Sequence, residues 1–146
     1  MCGIVGYAGK KNVIKNIMTG LKSLEYRGYD SAGIAYINDN SDINILKKEG
    51  PIKNLDKILN YEDEASIGIS HTRWATHGEA NDTNSHPHRQ GKITLVHNGI
   101  IENYDVLKKE LIKEGYTFKT NTDTEVAAAV IDNLYKKIGS MVETLK

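Results

Sequence analysis

Met1-Cys2-Gly3-Ile4-Val5-Gly6-Tyr7-Ala8 opens the chain, and how it is read decides the fold. Ile4 to Ala8 is short, apolar and bounded by glycines, which suits a buried strand beginning almost at the terminus. The terminus is then pinned into a sheet, with the chain's single cysteine at its start. A second residue as small as Cys2 permits removal of Met1, which would leave one residue carrying both a thiol and a free α-amine. The thiol attacks carbonyl carbon well once oriented. A terminal amine titrates closer to neutrality than a lysine, so it suits general-base work at neutral pH. The other reading of Cys2 is a buried filler or a bystander, and position alone leaves both open.

Outward from this strand, helical and extended patterns follow one another. Asn12 is placed to cap a helix over 12–24, in which Val13, Ile14, Ile17, Met18, Leu21 and Leu24 recur at three- and four-residue steps. Glu25 to Gly33 breaks that period with two glycines and polar groups, and reads as a structured loop. Ile34 to Ile37 and Ile43 to Leu46 flank a polar cluster, Asn38 to Asp42, and form a hairpin. Pro51 opens a short helix through Ile52, Leu55, Ile58 and Leu59. Ser66 to Ser70 is a strand that leads into a long polar segment, His71 to Gln90, of a kind that is usually functional or disordered. Ile93 to His97 reads as a strand, Asn98-Gly99 as a turn, and Tyr104 to Ile112 as a helix closed by Gly115. A further helical stripe runs from Asp123 to Lys137 through Val126, Ala127, Val130, Ile131 and Leu134. Ser140 with Glu143 begins a capping box shortly before Lys146, and with no linker in sight the ending reads as a truncation.

Composition narrows the function classes. The 19 basic side chains balance 19 acidic ones, which excludes a generic binder of nucleic acid or other polyanions. With 39% apolar and 26% charged residues the chain is globular and able to bury one core. The longest apolar stretches, such as 67–69 and 127–131, fall far short of the roughly 18 to 20 residues a membrane span needs. No basic leader precedes an apolar stretch, and a lone cysteine forms no internal disulfide, so a reducing cytoplasm is the expected compartment.

Several residues carry two readings each. Asn98-Gly99 after a β-branched strand is either the commonest hairpin turn or an oxyanion hole, in which the Asn98 amide and the Gly99 N–H face a developing negative oxygen. Arg73 either solubilises a loop or clamps a carboxylate through its planar guanidinium. Trp74 is a mobile lid or a core anchor. Asp123 stands where a helix begins, so it is an N-cap or a carboxylate that binds an ammonium; with Arg73 it would recognise an amino-acid zwitterion. His71, His77, His86, His88 and His97 invite a metal reading, and hence a metallohydrolase. Yet neither a His-Glu-x-x-His helix nor paired cysteines accompany them, so no metal is expected. There is no Gly-rich phosphate loop, and no nucleotide or other cofactor is expected.

Cys2 through Gly6, Glu25 through Gly33, His71 through Gly78, His97-Asn98-Gly99-Ile100-Ile101-Glu102-Asn103 and Thr122-Asp123-Thr124-Glu125 together resemble, in order and spacing, the class II glutamine amidotransferase domain. The wording of Tyr26 to Gly33 and of His71 to Gly78 is similar to the branch of that family that aminates fructose 6-phosphate. The resemblance covers essentially the whole chain, 1–146, as the N-terminal part of such a domain.

The resemblance implies an α+β fold, the N-terminal nucleophile hydrolase αββα sandwich, incomplete at its C-terminal end. It also implies roles. Cys2 resembles the nucleophile and its amine the base, with Asn98 and Gly99 the oxyanion hole. Arg73 and Asp123 match the groups that hold the carboxylate and ammonium of L-glutamine, while Thr76 and His77 match positions lining that pocket. Trp74 matches a closing loop, and Arg27 with Gly28 a loop near the nucleophile. The implied reaction forms a γ-glutamyl thioester on Cys2, releases ammonia destined for fructose 6-phosphate, and ends in hydrolysis to glutamate. The implied partners are sugar isomerase domains absent from this chain and a second copy in a homodimer, with neither nucleic acid nor membrane. The competing expectation is a catalytically silent amidotransferase-like fragment that acts by associating with a partner.

Overall fold

The computed structural model describes residues 1–10, 12–74 and 79–146. They form two compact units: Met1–Pro87 with Val96–Asn98, and His88–Leu95 with Gly99–Lys146. Among the described residues no helix is long and apolar enough to cross a membrane.

The first unit is built on a four-stranded antiparallel sheet. Its strands are β1 (Gly3–Ala8), β2 (Ser31–Asn38), β3 (Ile43–Glu49) and β4 (Ala65–Arg73), in the spatial order β1-β4-β2-β3. Helix α1 (Val13–Ser23) lays the predicted apolar stripe on one face of this sheet. Val13, Ile14, Ile17, Met18 and Leu21 pack with Ala32, Ile34 and Tyr36 of β2 and with Ile52 and Leu55 of the short helix α2 (Ile52–Asp56). Each of the larger side chains contributes about 1.5 to 3 kcal/mol by leaving water.

β2 is buried on both faces over Ser31–Tyr36. By strand alternation Ser31, Gly33 and Ala35 face away from α1. That side is covered by 84–87, where Asn84, Ser85 and His86 are themselves buried. The covering segment is tied down by Lys48 paired to Asp82 at 2.7 Å, by the Glu49 N–H donating to Asp82, and by Lys47 donating to the Thr83 carbonyl. Small side chains on this face of β2 are therefore a packing requirement.

The second unit holds the two-stranded ribbon β5 (His88–Gln90) and β6 (Ile93–Leu95), and helices α3 (Tyr104–Lys113), α4 (Asp123–Ile138) and α5 (Met141–Thr144). Leu111 of α3 packs on Val126 and Ala129 of α4, with Leu107, Tyr116 and Phe118 around them. The Glu125 carboxylate accepts from the N–H groups of Lys119 and Thr120, the Thr120 hydroxyl and the Gln90 amide, and so ties the 117–122 loop and β5 to α4. Ser140 caps α5 by accepting from the Glu143 N–H, as the sequence pattern predicts.

Several local expectations are corrected. Asn12 precedes α1 but makes no side-chain cap bond, because at φ 56° it lacks the extended backbone of a capping residue. The expected loop over Glu25 to Gly33 is a 3₁₀ turn at Glu25–Arg27 followed by the start of β2. Asp123 is the first helical residue of α4; the cap is Thr122, whose hydroxyl accepts from the Glu125 N–H. β4 runs three residues past Ser70, so His71, Thr72 and Arg73 lie in a strand, not a loop.

Candidate active site

Strand register assembles the site. β1 pairs with β4 so that Gly3 faces Thr72, and β2 pairs on the other side so that Ser31 faces Arg73. The start of the chain therefore lies against the end of a central strand. The Gly3 N–H donates to the Thr72 hydroxyl at 3.1 Å, fixing Cys2 one step beyond the paired ladder. Cys2 is half-buried, and its sulfur accepts the Trp74 N–H at 3.2 Å. Met1 lies outside β1 and is 79% exposed.

The Cys2 carbonyl gathers two side chains. Arg27 donates to it through Nε at 3.4 Å, and Asn98 donates through Nδ2 at 3.2 Å. The Asn98 Oδ1 in turn faces His71 Nε2 at 2.8 Å. Asn98 is thus beside the nucleophile candidate despite a separation of 96 residues. The hairpin-turn reading of Asn98-Gly99 does not survive. β6 pairs with β5, which precedes it, and the next element is α3. Neither residue is among the positive-φ positions of the described residues, as the favoured two-residue turn would require of both.

Arg73 is 5% exposed, which excludes the solubilising role. Its Nη1 donates to the Glu79 carbonyl at 3.2 Å, and the Asn84 amide meets the same carbonyl. Trp74 is 46% exposed with its ring edge-on to Tyr29, 5.7 Å between centroids, so it is no core anchor. Gly28 supports this junction through its missing side chain: a Cβ there would stand 2.8 Å from the Arg73 carbonyl carbon and 3.0 Å from the Trp74 nitrogen. Thr76 and His77 lie outside the described residues.

His71 is 1% exposed and stacked on His86, 4.2 Å between ring centroids. Burial pushes its pKa down to about 4; the Arg73 and His97 charges act in the same direction, and hydrogen bonding to Asn98 and to the His97 backbone opposes them. It is neutral at physiological pH. His88 meets the Thr122 hydroxyl at 3.1 Å in the second unit. Among the described residues no group of three or more His, Cys, Asp or Glu side chains is arranged to hold a metal ion.

Gly99 and Asp123 belong to the second unit. There the half-buried Asp123 accepts the Ile101 N–H at 2.8 Å, tying the segment after Gly99 to the start of α4. Sequence reasoning missed both this bond and the partnership of His71 with Asn98; nothing in spacing announces either.

A family model described as a glutamine amidotransferase domain matches residues 42–145. Glutamine--fructose-6-phosphate aminotransferase from Chlorobaculum tepidum is 51% identical over 142 residues, covering 93% of this chain and 23% of that protein. The protein of the same name from Caldanaerobacter subterraneus is 54% identical, covering all of this chain and 24% of that protein. The chain thus spans about a quarter of the length of the curated relatives it matches. Among solved structures, the glutamine phosphoribosylpyrophosphate amidotransferase of B. subtilis, complexed with ADP and GMP, superposes with a TM-score of 0.78 at 27% identity. It covers 99% of this chain and 31% of that one. The α+β fold is that of the N-terminal nucleophile amidotransferases.

Proposed function

This chain belongs to the glutamine amidotransferase domain family, and from that premise we propose that it is the glutaminase part of an enzyme that delivers ammonia to fructose 6-phosphate. The observation that carries the reading is the Asn98 amide beside Cys2, with Nδ2 on the Cys2 carbonyl at 3.2 Å.

After Met1 is removed, the Cys2 α-amine takes the thiol proton and the sulfur attacks the side-chain amide carbon of glutamine. A C–S bond forms and the carbonyl oxygen becomes an oxyanion. One Asn98 N–H is committed to the Cys2 carbonyl, and the other is left to meet that oxygen. Collapse breaks the C–N bond, the ammonium form of the α-amine returns the proton to the leaving nitrogen, and ammonia departs. Water then adds to the γ-glutamyl thioester and releases glutamate. Arg73 holds the glutamine carboxylate, and the roles implied for Gly99 and Asp123 belong to the same reading. A free thiol nucleophile fits a reducing cytoplasm.

The names of the relatives support fructose 6-phosphate as the acceptor; sugar isomerase domains and a second copy of the chain are the partners that the motif resemblance implies for its parent enzyme. Glutamate release from glutamine, unaffected by chelators, tests the reaction. A chelator-sensitive activity would return the metallohydrolase to the field.

Two variants separate transition-state from ground-state roles. Asn98→Ala lowers kcat by about a hundred- to a thousandfold with little change in KM, because the lost donor acts on the oxyanion. Arg73→Lys raises KM by about tenfold and leaves kcat near its original value, because a point charge cannot reproduce a bidentate clamp. Steady-state glutaminase kinetics check both.

A further inference from the structure

We infer that His71 is a positioning residue for glutamine hydrolysis: its Nε2–H holds the Asn98 carbonyl oxygen, so that the Asn98 amide presents nitrogen, not oxygen, to the reacting centre. The inference rests on the glutaminase reading above and adds a residue to it.

An asparagine side chain can be turned by half a rotation at almost no steric cost, exchanging an acceptor for two donors. In an oxyanion hole that rotation reverses the sign of the site. Two neighbours decide the orientation here. The Cys2 carbonyl can only accept, so the atom 3.2 Å from it is Nδ2. Oδ1 is then the atom 2.8 Å from His71 Nε2, and that nitrogen must carry a proton. His71 Nδ1 is buried without a hydrogen-bond partner, so the single proton of the neutral ring has its use at Nε2. Burial and the neighbouring Arg73 keep the ring neutral, which brings no second positive charge into the pocket. Stacking on His86 and the strand position of His71 in β4 fix the ring plane. The Asn98 amide is thereby held at both ends, Oδ1 by His71 and one Nδ2–H by the Cys2 carbonyl. Its second Nδ2–H is the one free to follow a developing negative oxygen.

The test compares wild type, His71→Leu, His71→Gln, Asn98→Ala and the double variant His71→Leu/Asn98→Ala in the purified protein. His71→Gln retains an N–H donor near the Nε2 position. The expected result is a drop in kcat of about ten- to a hundredfold for His71→Leu, with KM nearly unchanged, and substantial recovery for His71→Gln. The double variant is expected to be no slower than Asn98→Ala alone, because His71 acts only through Asn98. Losses that multiply in the double variant, or a His71→Leu enzyme as fast as wild type, overturn the inference. Nitrogen NMR of the wild-type imidazole reads the proton directly, whether or not the leucine variant folds: a proton on Nε2 supports the inference and one on Nδ1 overturns it. Wild-type protein that releases no glutamate instead overturns the glutaminase reading, a failure distinct from an active enzyme indifferent to His71.

Discussion

Cys2→Ala abolishes glutamine hydrolysis, lowering turnover by about 10⁴-fold or more, while the melting temperature stays unchanged. The size of the effect follows from the reaction: without sulfur there is no thioester, and water must attack an unactivated amide directly. The neutrality for folding follows from the structure. Cys2 lies one residue before β1, its side chain is half-buried, and the bond that anchors the strand start is made by Gly3 to Thr72. Alanine leaves that bond in place and gives up only the contact between the sulfur and the Trp74 backbone, at an exposed residue past the end of β4. Glutamine binding is expected to persist, since Arg73 is untouched. Calorimetric titration with glutamine, set beside glutamate release, checks both halves; a variant that hydrolyses glutamine as fast as wild type removes the nucleophile from the account.

Gly33→Ala is expected to cause the largest loss of stability. A Cβ at this position would stand 2.0 Å from the His86 carbonyl oxygen and 3.1 Å from the Leu46 carbonyl oxygen. Both obstacles are backbone, so no side-chain rotation relieves them. Either β2 shifts in the middle of the sheet, or the segment over 84–87 lifts away and exposes Ser31 and Ala35. The expected cost is about 3 kcal/mol or more, a large share of the roughly 5 to 15 kcal/mol that holds a domain together. A thermal melt reads it as a fall in midpoint of about ten degrees. Because His86 stacks on His71, activity should fall even in the fraction that remains folded. An unchanged midpoint would mean that the covering segment does not rest on β2.

What the sequence revealed followed physical simplicity. The α1 stripe, the β2–β3 hairpin and the α3 and α4 helices each bury one apolar face, and periodicity reports such faces directly. The end of β4 was hidden for the opposite reason. His71, Thr72 and Arg73 are all buried polar residues in a central strand, and a polar stretch reads as loop by default. Their polarity is satisfied inside the molecule, Thr72 by the Gly3 N–H and His71 by Asn98. Such partners lie tens of residues away and leave no local trace. Asn98-Gly99 misleads in another way: the dipeptide has a strong local preference for a hairpin, and tertiary structure overrides it by sending the chain on to α3. Thr122 and Asp123 both suit a helix start, and only backbone geometry shows that the threonine caps. The residues of the candidate site were nameable from motif resemblance, whereas the contacts that orient them were not.

On the proposed reading, the sulfur of a mature N-terminal cysteine is the nucleophile of a glutaminase. Intact-mass spectrometry after exposure to a glutamine analogue bearing an electrophile at its side-chain carbonyl tests it most directly. The expected product is a chain that has lost Met1 and gained one adduct on Cys2, with excess glutamine protecting against the modification. A chain that retains Met1 and leaves Cys2 unmodified would contradict it.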